Sequence, residues 1–410
     1  VNSGVPFINT NGALVSYDLF DIDNLNYNAL VIGPSGSGKS FYANCLITKY
    51  LEQGVPVVIL DLSGSYRPLA EAFGADYVAI DPLKPNQLDP FRYFAPEDAR
   101  VDSPAYLDAI TCLQSFLLLM LKDEQVSIGK GQKAVIYGSL ERFFQSAGGT
   151  QSIRAFESFL KNQGNVVFGQ EDNLRRQLLG ALDYYLGKSA AKPYFAEGNT
   201  NLLEVSLHGA SDMIVFDLKG IEQLTELMPL YANILSLLVM ATMHRDYERF
   251  LFIMDEAWKA LDRSAQIYEL VKETGRTARK HYGSIVAISQ NIADLQKGDL
   301  AASILTNSYS KFLLRHTGED VEAAIAALDM TVAEQRAFRN LREREILLCR
   351  AGEPILFRLP FSQSDYWLWT TRPDEVSVRN QSLSRQPTIV GALSELVDAG
   401  RSQKQSRTVD

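Results

Sequence analysis

NALVIGPSGSGKSF, residues 28–41, runs from an apolar segment through a glycine-rich turn into a segment with helical spacing. Ala29 to Ile32 reads as a strand, Phe41 to Leu51 as an amphipathic helix, and Val55 to Leu60 as a second, β-branched strand that ends in Asp61. Strand, helix and buried strand together are the unit of a mostly parallel sheet flanked by helices, so the chain reads as α/β. Between the first strand and the helix, Gly33, Pro34, Ser35, Gly36, Ser37, Gly38, Lys39 and Ser40 satisfy the pattern GxxxxGK[ST] in full. The chemistry needs these residue types. Glycines let backbone N–H groups turn inward around phosphates, and the helix presents its positive N-terminus to the same anion. Lys39 is placed to reach the β and γ phosphates of ATP, and Ser40 to bind Mg²⁺. The plainer alternative is a turn that only caps a helix; the flanking strand and helix weigh against it.

Further apolar runs at Met213 to Phe216, Phe250 to Met254, Ser284 to Ile288 and Lys311 to Leu314 extend the expected sheet. The second of these ends in Asp255 and Glu256, as a Walker B element does. Asp255 would hold Mg²⁺ through water, and Glu256, pointing differently because side chains alternate along a strand, would polarise the attacking water as general base. Two solvated acids at a strand end are the competing reading. The run from Ser284 ends in Ser289-Gln290-Asn291, which places the Gln290 amide where a γ-phosphate could be sensed, or where it caps the next helix. Arg276 and Arg279, three residues apart, would share one helix face. They could complete a neighbouring subunit's site as arginine fingers or form a solvated basic helix end, and spacing alone leaves both open. Asp61 and Asp217 each close a strand at the same edge, where positioning Mg²⁺ or water and capping a loop are equally good explanations.

The remaining sequence bounds the architecture. Its 410 residues are 46% hydrophobic and 22% charged, enough for a sizeable core and more than one ordinary domain. A net charge of -9 has the wrong sign for a protein that coats nucleic acid with its whole surface, so any DNA contact must be local. Three scattered cysteines form no CxxC pair, and the HExxH, GxSxG and GxGxxG patterns are absent, which argues against zinc hydrolase, serine hydrolase and Rossmann chemistry. The chain starts at Val1 with no signal-peptide pattern and reads as a cytosolic piece of something longer. Helical spacing dominates Tyr106 to Leu121, Ala134 to Phe144, Ile153 to Leu160 and Leu174 to Leu186. The expected organisation is therefore a first part of the phosphate-binding domain at 1–94, an all-α insertion at 95–206, a second part at 207–361 and a polar tail at 362–410. The tail reads as a docking strap or partly disordered, with helix-like spacing only from Ile389 to Val397.

Residues 28–41, the DLSGSY stretch from Asp61 to Tyr66, Phe252 to Trp258 (FIMDEAW) and Arg276 to Gln290 (RTARKHYGSIVAISQ) resemble the TraC/VirB-type ATPases of conjugation and type IV secretion, within the wider FtsK/HerA-like group of hexameric motors. The resemblance covers nearly all of Asn28 to about Leu359; its phosphate loop is widespread, whereas the DEAW block and the helical insertion are narrower. It implies a RecA-like P-loop fold, ATP and Mg²⁺ as ligands, and nucleotide contacts from Gly33 to Phe41. It also implies Ser40 and Asp255 on the metal, Glu256 as catalytic carboxylate and Gln290 as sensor, with Arg279 as the preferred trans-acting finger and Arg276 second. The implied assembly is a homo-oligomeric ring, a hexamer. It would dock on secretion-channel components at the inner membrane through an N-terminal domain not in this chain, and would act on a secreted protein. A DNA-translocating coupling protein and a nucleotide-switched scaffold are the alternatives; the acidic charge weighs against the first and Glu256 against the second.

Overall fold

The computed structural model describes residues 4–94, 104–121, 129–146, 151–162, 170–198, 212–220, 223–224, 226–243, 249–257, 282–296, 298–350 and 353–406. The chain divides into two compact units, the first comprising Val1–Ala79, Ala210–Lys219 and Met243–Asp410, the second Ile80–Gly209 and Gly220–Thr242.

The first unit holds an 11-stranded sheet. In chain order its strands are β1 (Val5–Asn9), β2 (Leu14–Tyr17), β3 (Ala29–Ile32), β4 (Val57–Asp61), β5 (Asp76–Ala79) and β6 (Met213–Asp217), then β7 (Phe250–Asp255), β8 (Gly283–Ser289), β9 (Ser310–Leu313), β10 (Ile346–Arg350) and β11 (Glu353–Arg358). They lie in the order β2-β1-β11-β10-β9-β3-β8-β7-β4-β6-β5. From β9 to β5 every neighbour is parallel. From β2 to β9 every neighbour is antiparallel. The fold class is thus the expected one, a largely parallel sheet flanked by helices. The central strands β3, β4, β7 and β8 are buried at every residue, which explains why they read as unbroken apolar runs rather than alternating ones. The strands expected at 213–216, 250–254, 284–288 and 311–314 are present with boundaries shifted by a residue or so.

Helix α1 (Lys39–Leu51) follows β3 and buries Tyr42, Ala43, Cys45, Leu46, Ile47 and Tyr50, while α2 (Arg67–Phe73) follows β4 and buries Leu69 and Ala70. The polar tail is more ordered than its composition suggests. Three helices occupy it, Gln363–Trp369, Pro373–Arg385 and Ile389–Ser406. The first opens on a capping box in which Ser362 and Asp365 satisfy each other's backbone N–H groups. It ends on Trp369, which is fully buried in the core that also contains Tyr42, Cys45 and Leu46 of α1. The indole N–H of Trp369 donates to Thr48 Oγ1 at 3.1 Å, its carbonyl accepts from Asn44 Nδ2 at 3.3 Å, and its ring meets Phe41 edge-on at 5.4 Å. The helix of the glycine-rich turn is therefore packed against residues more than 300 positions later.

The described part of the second unit is helical, with Pro104–Leu121, Lys130–Ser146, Ile153–Asn162, Gln170–Asp183 and Met228–Met243 as its longer helices. An aromatic centre of Phe91, Phe143 and Phe156, with ring centroids 5.1 to 5.9 Å apart, holds three of its segments together. Buried Asp89 accepts from the backbone N–H groups of Phe91 and Ile153, and burial pushes its carboxyl up to about 6. No helix among the described residues of either unit is long and apolar enough to cross a membrane.

Because Trp369 fills the core beside α1, Trp369→Ala is expected to lower the unfolding free energy by about 3 to 5 kcal/mol in a urea titration, the usual cost of deleting a buried large aromatic side chain. A loss below about 1 kcal/mol would show that the C-terminal helices contribute little to this core.

Candidate functional site

Strands β3, β8, β7 and β4 are parallel neighbours, so their C-terminal ends lie at one edge. In register, Ile32 faces Ser289, Asp255 faces Ile288 and Leu60 faces Met254. Beyond each strand the chain is tied to its neighbour: Gly33 N donates to Ser289 O at 3.2 Å, Glu256 N to Ile288 O at 3.1 Å and Leu62 N to Asp255 O at 3.1 Å. The glycine-rich turn and the acid pair, more than 200 residues apart in the chain, are thereby brought together.

The turn has little room for other sequences. A Cβ on Gly33 would lie 2.4 Å from Ser37 Oγ and 2.8 Å from Leu314 Cβ, too close for any side chain without displacement. Gly36 and Gly38 have φ of 78° and 99°, a region that glycine enters without a Cβ clash. Lys39 is 7% exposed, and its ammonium donates to Pro34 O at 3.1 Å, which holds the charge over the turn. Ser40 opens α1 beside it.

Opposite stand three buried carboxylates. Asp255 is pushed up to about 7, chiefly by burial, then by the charges of Asp61 and Glu256; the hydroxyl of Tyr66 and the Lys39 ammonium pull the other way. Glu256 has a left-handed backbone, φ 55°, and its Oε1 accepts from Gln290 N at 2.6 Å. A non-glycine residue in this region costs on the order of 1 to 3 kcal/mol, so the surrounding ladder must hold it. Asp61, bridged to Glu256, accepts from Ser63 N, Ser63 Oγ, Ser65 N and Tyr66 N. Its carboxylate is thus occupied in shaping the loop, and Asp217, which accepts from Tyr77 OH and Lys219 N, does likewise. For both, the structure supports the loop-capping reading.

Gly33 to Ser40, Asp255, Glu256 and Gln290 are all gathered at this edge, with Phe41 in the first turn of α1 and the Gln290 side chain exposed just past β8. Arg276, Arg279 and Trp258 lie outside the described residues. Two contributors were not singled out from the sequence. Leu314 packs beneath Gly33 and Gly38, and Tyr66 donates to Asp255 Oδ2 at 2.9 Å. The DLSGSY stretch carried the signal for Tyr66, but its partner lies 189 residues away.

The sequence model of the TraG P-loop domain matches residues 14–398. The chain belongs to this family. Among relatives of the TraG-type chain, protein TraC of Escherichia coli is 25% identical over 75% of this chain and 34% of its own length. The type IV secretion system protein PtlC of Bordetella pertussis is 22% identical over 82% of this chain and 40% of its own. The chain thus spans about a third to two fifths of the length of these relatives. Among solved structures, VirB4 of Thermoanaerobacter pseudethanolicus superimposes with a TM-score of 0.66 at 22% identity, covering 89% of this chain and 98% of that one. The plasmid coupling protein TrwB in complex with ADP and Mg²⁺ gives 0.52 at 16%, covering 82% and 85%. Both share the fold.

The residues at the edge fit a magnesium nucleotide. The turn leaves no space at Gly33, the Ser37 hydroxyl is buried without a hydrogen-bond partner among the described residues, and the crowded acids around Asp255 favour a cation. No cluster of three or more His, Cys, Asp or Glu able to hold a metal alone occurs among the described residues.

The raised Asp255 carboxyl has a consequence for stability. Its folded value of about 7 lies above the ordinary 3.8, so the stabilisation it contributes is complete below the lower value and lost as pH rises through the upper one. In metal-free buffer, Asp255→Asn should therefore gain in melting temperature relative to the parent protein as pH rises from about 4 to about 7, and level off above that. Parallel pH profiles for the two proteins would contradict a raised Asp255.

Proposed function

We propose that this chain is the ATP-hydrolysing motor domain of a type IV secretion or conjugation apparatus, working as a hexameric ring that powers channel or pilus assembly and substrate transfer. The observation that carries the reading is the meeting of the Lys39 turn with Asp255 and Glu256 across the adjacent ends of β3, β8 and β7. Membership of the TraG P-loop family and similarity to a type IV secretion system protein support it.

In this reading the backbone N–H groups of residues 33–40 wrap the phosphates and the Lys39 ammonium pairs with the β and γ phosphates. Ser40 and Asp255 hold Mg²⁺, which when bound neutralises charge on the phosphate oxygens. Glu256 accepts the proton of the attacking water as the bond between the γ-phosphate and ADP breaks. The backbone of Gln290 fixes one Glu256 oxygen, leaving its own amide at the edge to sense the γ-phosphate. Arg279, with Arg276 second, enters the neighbouring subunit's site, so each site is completed in trans. The ring sits at the cytoplasmic face of the inner membrane on other channel components, and its cargo is protein.

Lys39→Ala should abolish nucleotide binding or hydrolysis. Glu256→Gln should keep ATP binding while turnover falls by on the order of 100-fold or more, from loss of the base. Normal ATPase in the first variant, or weak binding in the second, would contradict these roles. In a ring-forming preparation, Arg279→Ala and Lys39→Ala subunits, each inactive alone, should recover activity on mixing. No recovery in rings shown to be mixed would remove the finger.

A further inference from the structure

Tyr66 is held more firmly than a core tyrosine needs to be. It is fully buried. Its backbone N–H donates to Asp61 Oδ2 at 3.3 Å, beside the Ser65 N–H that donates to the same oxygen at 2.5 Å. Its carbonyl accepts from Ala70 N at 2.9 Å and so anchors the first turn of α2. Fixed from both sides, the ring reaches from the end of β4 to the end of the neighbouring β7, where the hydroxyl donates to Asp255 Oδ2 at 2.9 Å. Among the described residues Tyr66 is the side chain seen to hydrogen-bond Asp255, and it does so at Oδ2.

We propose that Tyr66 is a positioning residue for the metal: by occupying Asp255 Oδ2 it fixes the plane of the carboxylate, so that Oδ1 is the oxygen offered to a divalent cation. This rests on the reading of Asp255 as the Mg²⁺ acid. A terminal carboxylate torsion is broad and roughly two-fold, so an unanchored Asp255 would present either oxygen over a range of angles. A cation that demands near-ideal octahedral geometry, here through a water that the carboxylate holds, is bound poorly when that carboxylate turns freely. Partners that orient a metal ligand from behind are commonly worth 10- to 100-fold in metal affinity. A bland account also exists, in which the hydroxyl of a buried tyrosine simply finds any acceptor. It does not explain why Asp61 directs four hydrogen bonds into the loop that aims this one side chain.

Tyr66→Phe keeps the ring and deletes only the oxygen. The test titrates the protein with a fluorescent ADP analogue, once in EDTA and once across a series of Mn²⁺ concentrations, with Mn²⁺ electron paramagnetic resonance reporting the metal directly. Metal-free ADP affinity should stay within about twofold of the parent, while the apparent Mn²⁺ constant weakens roughly 10-fold and the melting temperature barely moves. Asp255→Asn should weaken the metal by itself, and adding Tyr66→Phe to it should produce no further loss, because Tyr66 acts only through the Asp255 carboxylate. An unchanged Mn²⁺ constant overturns the proposal. An equal fall in metal-free and metal-dependent affinity also overturns it, since that pattern marks a structural residue. If the parent protein binds ADP neither with nor without metal, the nucleotide reading fails first, and that is visible before any variant is compared.

Discussion

Three backbone hydrogen bonds at the sheet edge, from Gly33 to Ser289, from Glu256 to Ile288 and from Leu62 to Asp255, are what the site depends on. Each begins just past the end of one strand and closes on the last residues of its neighbour. They convert a parallel ladder, which by itself only aligns strands, into a rim where four separate chain segments have fixed positions relative to one another. The left-handed backbone at Glu256 is possible because one of these bonds and the Asp61 bridge hold it from both sides. Without that rim the glycine-rich turn would still cap α1, but the acids would have no set distance from Lys39.

The rim also concentrates charge in a way a stability argument alone would disfavour. Asp61, Asp255 and Glu256 are all buried, with Lys39 the cation opposing Asp255. Burial raises the proton affinity of Asp61 and Asp255 and so destabilises the ionised protein at neutral pH. Such an arrangement is expected where a ligand brings the compensating charge, which here would be a divalent cation with its phosphates. Asp61 lessens the tension by directing its oxygens into the Ser63 to Tyr66 loop, which leaves Asp255 and Glu256 as the carboxylates assigned to metal and water in the proposed function.

Most of the parallel part of the sheet was legible in the sequence because strands buried on both faces leave unbroken apolar runs, as from Phe250 to Met254 and from Ser284 to Ile288. The phosphate-binding turn was legible because its glycines are required by sterics at single positions. The antiparallel flank escaped notice. β2 is short and mostly exposed, and β11 contains Pro354, so neither displays the pattern of a core strand. The C-terminal helices were hidden by polar faces; what orders them includes a local cap at Ser362 and the long-range anchor Trp369, whose partners on α1 no window of neighbouring residues contains. Tyr66 was obscured for the same reason, since its chemistry depends on a strand nearly 190 residues away.

The seat of Trp369 against α1 has one more implication. Phe41 directly follows the serine assigned to the metal, and the indole edge rests on its ring. A force applied to the last three helices, whether from a partner that grips them or from a neighbouring copy of the chain, would be delivered through an aromatic contact into the first turn after the phosphate loop. The C-terminal helices of this protein are thus seated directly on the turn that the proposed function gives to the nucleotide, so a hold on the former would bear on the latter.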